Sequence, residues 1–138
     1  MTKRLSSISR LSIKNPFTEF IEEMSGEKVY KCYQCGKCSA GCPLGSFMDH
    51  LPNMIMRLLQ MGENEEVLAS NTSWFCASCF MCDSRCPKGI RISAVMEAVR
   101  SYQLRQGKDR VDPGGLDAAL LDDVPQQAIV ANLRKLTL

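Results

Sequence analysis

The sequence predicts an all-α fold, and three observations carry that prediction. Apolar residues recur at helical spacing in the segments between glycine and proline stops. No segment alternates apolar and polar residues as a half-buried strand would. The eight cysteines form two runs of identical spacing, Cys32-Cys35-Cys38-Cys42 and Cys76-Cys79-Cys82-Cys86. Each reads C-x2-C-x2-C-x3-C and is followed by proline, Pro43 or Pro87.

The elements follow in order. Residues 1–14 hold Lys3, Arg4, Arg10 and Lys14 among serines, with no acid. They predict a flexible basic N-terminal tail that docks on a partner, and the same composition also fits a mitochondrial presequence. Asn15-Pro16 predicts an N-cap followed by the first helical residue. Phe17, Phe20, Ile21 and Met24 then share a face, and Gly26 ends the helix. Between the cysteine runs, Met48, Leu51, Ile55, Leu58 and Leu59 follow helical spacing, with Pro52 in the first turn and Gly62 as the stop. Asn64 predicts the cap of a shorter helix through Leu68. After the second run, Ser93 predicts a cap for a helix carrying Val95, Val99 and Tyr102 on one face, with Gly107 beyond its end. Residues 112–123 read as a solvated loop rich in Asp and Gly. A last helix is predicted from Pro125, with Ile129, Leu133 and Leu136 on one stripe and Arg134 and Lys135 near its end. The domain reading is therefore a tail over 1–14, a two-run domain over 15–110, and a partner-docking loop and helix over 111–138. Two halves, each a cysteine run plus a helix, predict pseudo-twofold character.

The cysteine spacing predicts two [4Fe–4S] clusters, because this is the ligand run of two-cluster ferredoxins. Three cysteines two residues apart wrap a loop around one cluster, and the fourth reaches the other. The expected ligand sets are thus crossed: Cys32, Cys35, Cys38 and Cys86 for one, and Cys76, Cys79, Cys82 and Cys42 for the other. Zinc sites more often use separated C-x2-C pairs, so two zinc sites are the weaker reading. The small β-rich bacterial ferredoxin shares the run but needs strand pairs that this chain lacks. Lys37 beside the first run and the apolar neighbours Phe80 and Met81 of the second predict a higher potential for the first cluster.

Composition narrows the function further. The formal charge is +2, and two clusters with their thiolates contribute about −4, which is no nucleic-acid signature. No stretch approaches the roughly 20 apolar residues of a membrane span, and no secretory segment is evident. The repeated spacing predicts reduced, metal-binding thiols and hence a cytoplasmic setting. No nucleophilic triad, phosphate loop or flavin fingerprint is present, so no residue is assigned a catalytic role. The lone His50 reads as a surface or capping residue, and Met48, Met54, Met56 and Met61 as core filler. Trp74 and Phe75 read as shielding for a cluster.

Two segments carry a family resemblance: Lys31-Cys32-Tyr33-Gln34-Cys35-Gly36-Lys37-Cys38-Ser39-Ala40-Gly41-Cys42-Pro43 and Trp74-Phe75-Cys76-Ala77-Ser78-Cys79-Phe80-Met81-Cys82, with Arg85-Cys86-Pro87-Lys88-Gly89 beyond. Over residues 15 to 107 the chain resembles the C-type iron–sulfur subunit of heterodisulfide reductase. The resemblance implies an α-helical ferredoxin-like domain with two [4Fe–4S] clusters, all eight cysteines serving as ligands. It implies an electron-transfer subunit of an oxidoreductase complex, passing electrons between a flavin- and iron–sulfur-containing A subunit and a B subunit that converts disulfides and thiols. A freely diffusing two-cluster ferredoxin is the alternative. The iron–sulfur proteins of succinate dehydrogenase are less similar, because they need further cysteines for a [2Fe–2S] site and none is left over here.

Overall fold

The computed structural model describes residues 15–106 and 115–133, which belong to two compact units, 1–106 and 107–138. In the first unit, α1 (Pro16–Ser25) opens as its sequence demands. The Asn15 side chain accepts a hydrogen bond from the Phe17 N–H at 3.0 Å, and Pro16 fills the first helical position, where no donor is needed. Gly26 ends the helix at φ 70° and Gly62 ends α3 (Pro52–Met61) at φ 77°, both in the left-handed region that glycine enters without steric cost. Short helices follow as α2 (Lys37–Ala40), α4 (Asn64–Ala69), α5 (Thr72–Phe75) and α6 (Met81–Arg85). The unit closes with α7 (Ile92–Arg105). The described residues include no strand, as the missing alternation predicted.

The core lies among α1, α3, α4 and α7. Ile21, Val29, Ile55, Met56, Leu59, Val67, Ile90, Val95 and Val99 are each at most 1% exposed. Tyr102 receives Phe17 and Phe20 edge-on, with ring centroids 4.7 and 5.2 Å away, which locks α1 to α7. Each such pair contributes about 0.5–1.5 kcal/mol beyond its buried area. Thr18 Oγ1 donates to the Leu59 carbonyl at 3.0 Å, tying α1 to α3.

The halves repeat at two registers. The cysteine runs are offset by 44 residues, Cys32 to Cys76. Helices α3 and α7 are offset by 40, Pro52 to Ile92, and the buried residues match at that shift: Ile55 with Val95, Met56 with Met96, Leu59 with Val99. The first half therefore holds four extra residues between its last cysteine and its long helix. They lie in the stretch Leu44–Leu51, which includes a 3-10 turn at Gly45–Phe47. Asp49 fastens that stretch. Its Oδ1 accepts from the His50 N–H at 2.7 Å and lies 2.6 Å from Ser70 Oγ and 3.0 Å from Thr72 Oγ1. Its Oδ2 accepts from the Asn71 N–H at 3.0 Å, and Asn71 Oδ1 accepts from the Asp49 N–H in return.

Desolvation alone would raise the Asp49 carboxyl, but the hydrogen bonds from Ser70, Asn71, His50 and Thr72 outweigh it and hold it well below the usual carboxylate range. A depressed carboxyl stabilises the fold above its unfolded pKa of about 3.9 and loses that contribution as pH falls toward its folded value. Asp49 is exposed and partly screened, so Asp49→Asn should cost about 0.5–1 kcal/mol at neutral pH. The gap to the parent protein in denaturant melts should shrink once the pH falls below about 4. An unchanged midpoint at pH 7 would dismiss the clasp.

Several sequence expectations change in detail. Asn64 is the first residue of α4 rather than its cap, which is Glu63. Ser93 lies inside the first turn of α7, where its N–H donates to Asp83 Oδ1 at 3.0 Å and its hydroxyl to Asp83 Oδ2. Asp83 thus serves the helix start that Ser93 was expected to cap, from ten residues away. Met24 and Leu51 are exposed, and Leu51 precedes α3 rather than lying within it. His50 is half-buried and its Nε2 lies 3.2 Å from Glu66 Oε1. Met56 alone of the four methionines is fully buried, and Met54 is exposed.

In the second unit, the loop expected over 112–123 contains α8 (Ala118–Asp123). Asp117 is extended there, and the strong helix formers Ala118, Ala119 and Leu120 outweigh the surrounding aspartates. The predicted last helix is α9 (Gln126–Leu133), on which Ile129 is half-buried and Val130 exposed. Leu136, Arg134, Lys135, the Gly107 stop and the 1–14 tail lie outside the described residues.

Candidate metal centre

Both cysteine runs fold the same way. Each begins just after a short helical turn, Val29–Lys31 before Cys32 and α5 before Cys76. Two left-handed residues then flank the second cysteine of each run: Gln34 (φ 62°) and Gly36 (φ 74°) around Cys35, Ser78 (φ 51°) and Phe80 (φ 61°) around Cys79. Left-handed residues of this kind are what anion-binding nests, a feature of iron–sulfur loops, are built from. Glycine meets the demand freely at 36, whereas Gln34, Ser78 and Phe80 each bear a cost of about 1–2 kcal/mol. The third cysteine of each run lies in α2 or α6. Those two helices pack together. A Cβ on Gly41 would meet the Arg85 guanidinium at 2.6 Å, so the runs touch through pseudo-equivalent positions, one small and one large.

Cys42, Cys76, Cys79 and Cys82 line one concavity with Met48, Ile92 and Met96. Around the other run, Tyr33 stands beside Cys35, Cys86 and Cys32. Its phenol is held above the ordinary value first by its hydrogen bond with Cys35, then by desolvation and by those thiolates. Lys88 sits over the Tyr33 ring at 5.6 Å. The thiols differ before iron arrives. The Lys37 N–H, more than any other partner, lowers Cys35. Burial raises Cys38, and burial followed by the Asp83 carboxylate pushes Cys82 up to about 12. Ligation removes these protons regardless. Among the described residues no three His, Cys, Asp or Glu side chains converge on a single-ion point. A cubane asks for no such point, since its four irons share four thiolates.

The model of the 4Fe-4S dicluster domain family matches residues 28–90. Curated relatives extend the match. The C-type iron-sulfur subunit of the CoB--CoM heterodisulfide reductase of Methanopyrus kandleri is 34% identical over 118 residues, covering 78% of this chain and 60% of that protein. The C-type subunit of the H(2):CoB-CoM heterodisulfide,ferredoxin reductase of Methanothermobacter marburgensis is 30% identical, covering 72% and 54%. A C-type iron-sulfur subunit of the CoB--CoM heterodisulfide reductase of Methanocaldococcus jannaschii is 32% identical, covering 68% and 54%.

The chain is homologous to the C-type subunits of heterodisulfide reductases. It is an all-α protein of two [4Fe–4S] clusters, and the twin nests with their eight cysteines fit that cofactor. It spans between half and two thirds of the length of those relatives. No helix among its described residues is long and apolar enough to cross a membrane.

Sequence reasoning named the cysteines but missed the residues that hold their loops. Gln60 Nε2 donates to the Cys32 carbonyl at 2.7 Å and to the Val29 carbonyl at 3.0 Å. Arg100 Nη1 donates to the Cys76 carbonyl at 3.0 Å and its Nη2 to Ser78 Oγ at 3.2 Å. The 40-residue register of α3 and α7 was the signal that could have paired them. The Trp74-Phe75 pair expected to shield a cluster divides: Phe75 is exposed and stacks on Phe47 at 6.3 Å, while Trp74 is half-buried.

Proposed function

We propose that this chain is the electron-transfer subunit of a heterodisulfide reductase-like complex in the cytoplasm. It relays electrons between a flavin- and iron–sulfur-containing A-type subunit and a disulfide- or thiol-converting B-type subunit, and is not itself catalytic. Each [4Fe–4S] cluster, when bound, takes up and releases one electron at a time. The chain's residues would hold the clusters in crossed sets: Cys32, Cys35, Cys38 and Cys86 for the first, Cys76, Cys79, Cys82 and Cys42 for the second. The observation that carries the reading is the contact between α2 and α6, which brings the two runs side by side. Each run keeps its second cysteine, Cys35 or Cys79, exposed to solvent. That arrangement supports a path with one outlet on each side. The surroundings of the outlets differ, with Tyr33, Lys37 and Lys88 near one and Phe80 and Met81 near the other, which suits two unlike partners.

Affinity purification of the tagged chain under anaerobic conditions tests the reading. A flavin-bearing partner and a second iron–sulfur partner should co-purify in fixed ratio, and the complex should reduce or form a disulfide only with this chain present. A chain that purifies alone, fully loaded with clusters, and donates to several unrelated acceptors would favour the diffusing ferredoxin instead.

A further inference from the structure

The two sites are held by matched residues of unlike charge. At the 40-residue register that superposes the buried positions of α3 and α7, Gln60 corresponds to Arg100. Each reaches from its helix to the carbonyl of the first cysteine of its run, at 2.7 and 3.0 Å. A neutral amide suffices for this in the first half, so holding the carbonyl does not require the guanidinium's charge. Arg100 is only 20% exposed, and in that setting its charge acts more strongly on its neighbours than a surface charge would. Its partner Glu97 is 60% exposed and more fully screened. The opposing carboxylate near the site, Asp83, lies 3.2 Å from Cys82 Sγ and is already engaged by the Ser93 N–H and hydroxyl.

We propose that Arg100 is a positioning residue that also raises the reduction potential of the Cys76–Cys79–Cys82 site, a bias that Gln60 does not give the first site. Nearby positive charge favours the more negative, reduced cluster. Arg100 therefore works against the order expected from the apolar neighbours of the second run, and narrows the gap between the two potentials. A narrow gap lets one electron move between the sites in either direction. The inference rests on the crossed cluster reading above.

The test is a redox titration of the cluster-loaded full chain followed by electron paramagnetic resonance, for the parent protein, Arg100→Gln and Arg100→Lys. Iron and sulfide are assayed in each. With about eight of each per chain, Arg100→Gln should lower one midpoint, making that cluster at least tenfold harder to reduce, about 59 mV for one electron. The other midpoint should stay in place, and Arg100→Lys should restore most of the shift. Equal movement of both midpoints, no movement, or an equal drop in Arg100→Lys would overturn the proposal. If Arg100→Gln does not retain its second cluster, Gln60→Arg decides: by placing the same charge at the matched position it should raise the midpoint of the first site, and an unmoved midpoint there counts against the charge. A parent protein short of eight irons and sulfides would overturn the cluster reading and this inference with it.

Discussion

Replacing Cys42 with alanine should destroy the cluster held by Cys76, Cys79 and Cys82 and spare the one beside it in sequence. Cys42 lines the concavity of the second run, and Cys86 acts on Tyr33 together with Cys32 and Cys35. Cys42 thus lines the same concavity as the second run's three cysteines, and Cys86 lies near Tyr33 with two of the first run's, which supports the crossed sets. Iron content should fall from about eight to about four per chain. Double variants then identify the survivor. Cys42→Ala with Cys79→Ser should still hold one cluster, because both changes strike the same site. Cys42→Ala with Cys35→Ser should hold none. The opposite result, one cluster in the second variant and none in the first, would show that each run binds its own cube.

The second large effect should come from stripping both clusters with a chelator. Three non-glycine residues, Gln34, Ser78 and Phe80, stay left-handed in the nests. At about 1–2 kcal/mol each, they store roughly 3–6 kcal/mol that ligation helps to offset. Helices α2 and α6 have four and five residues, far below the length at which a helix stands unaided. Removing iron should therefore release residues 32–42 and 76–86 and lower the stability of the whole unit by several kcal/mol, since metal binding and folding are coupled. Hydrogen exchange should show those two stretches losing protection first. The α1–α3–α7 packing around Ile21, Met56 and Val95 should outlast them, because these helices bury apolar side chains and carry none of the eight cysteines. Protection in both stretches that survives complete loss of iron and sulfide would contradict this account.

How much was legible in the sequence depended on how far apart the interacting residues lie. The start of α1 was readable because Asn15 caps a donor two residues away. Its end was readable because Gly26 answers a local demand for positive φ. Helices α3 and α7 were readable in type, since their apolar periodicity is a property of a dozen consecutive residues. The cap of α7 was misplaced because its acceptor, Asp83, sits ten residues upstream in the cysteine run. The helix at Ala118–Asp123 was missed because aspartates dominate its surroundings, while short alanine and leucine runs carry the helix.

Eight thiolates, two clusters and an all-helical scaffold follow from the order of residues alone. Ligand spacing and turn chemistry act over a few bonds, and they are written where they act. The Asp49 clasp, the unequal Gln60 and Arg100 contacts and the fit of Arg85 against Gly41 came from packing. Each joins residues more than 20 positions apart, and hydrophobic burial of α1, α3 and α7 against one another is what brings them together. No local period encodes such a meeting, so the sites' shared chemistry and the unlike sequence neighbours of their runs could be read from the chain, whereas the unequal Gln60 and Arg100 contacts emerged only once the helices were packed.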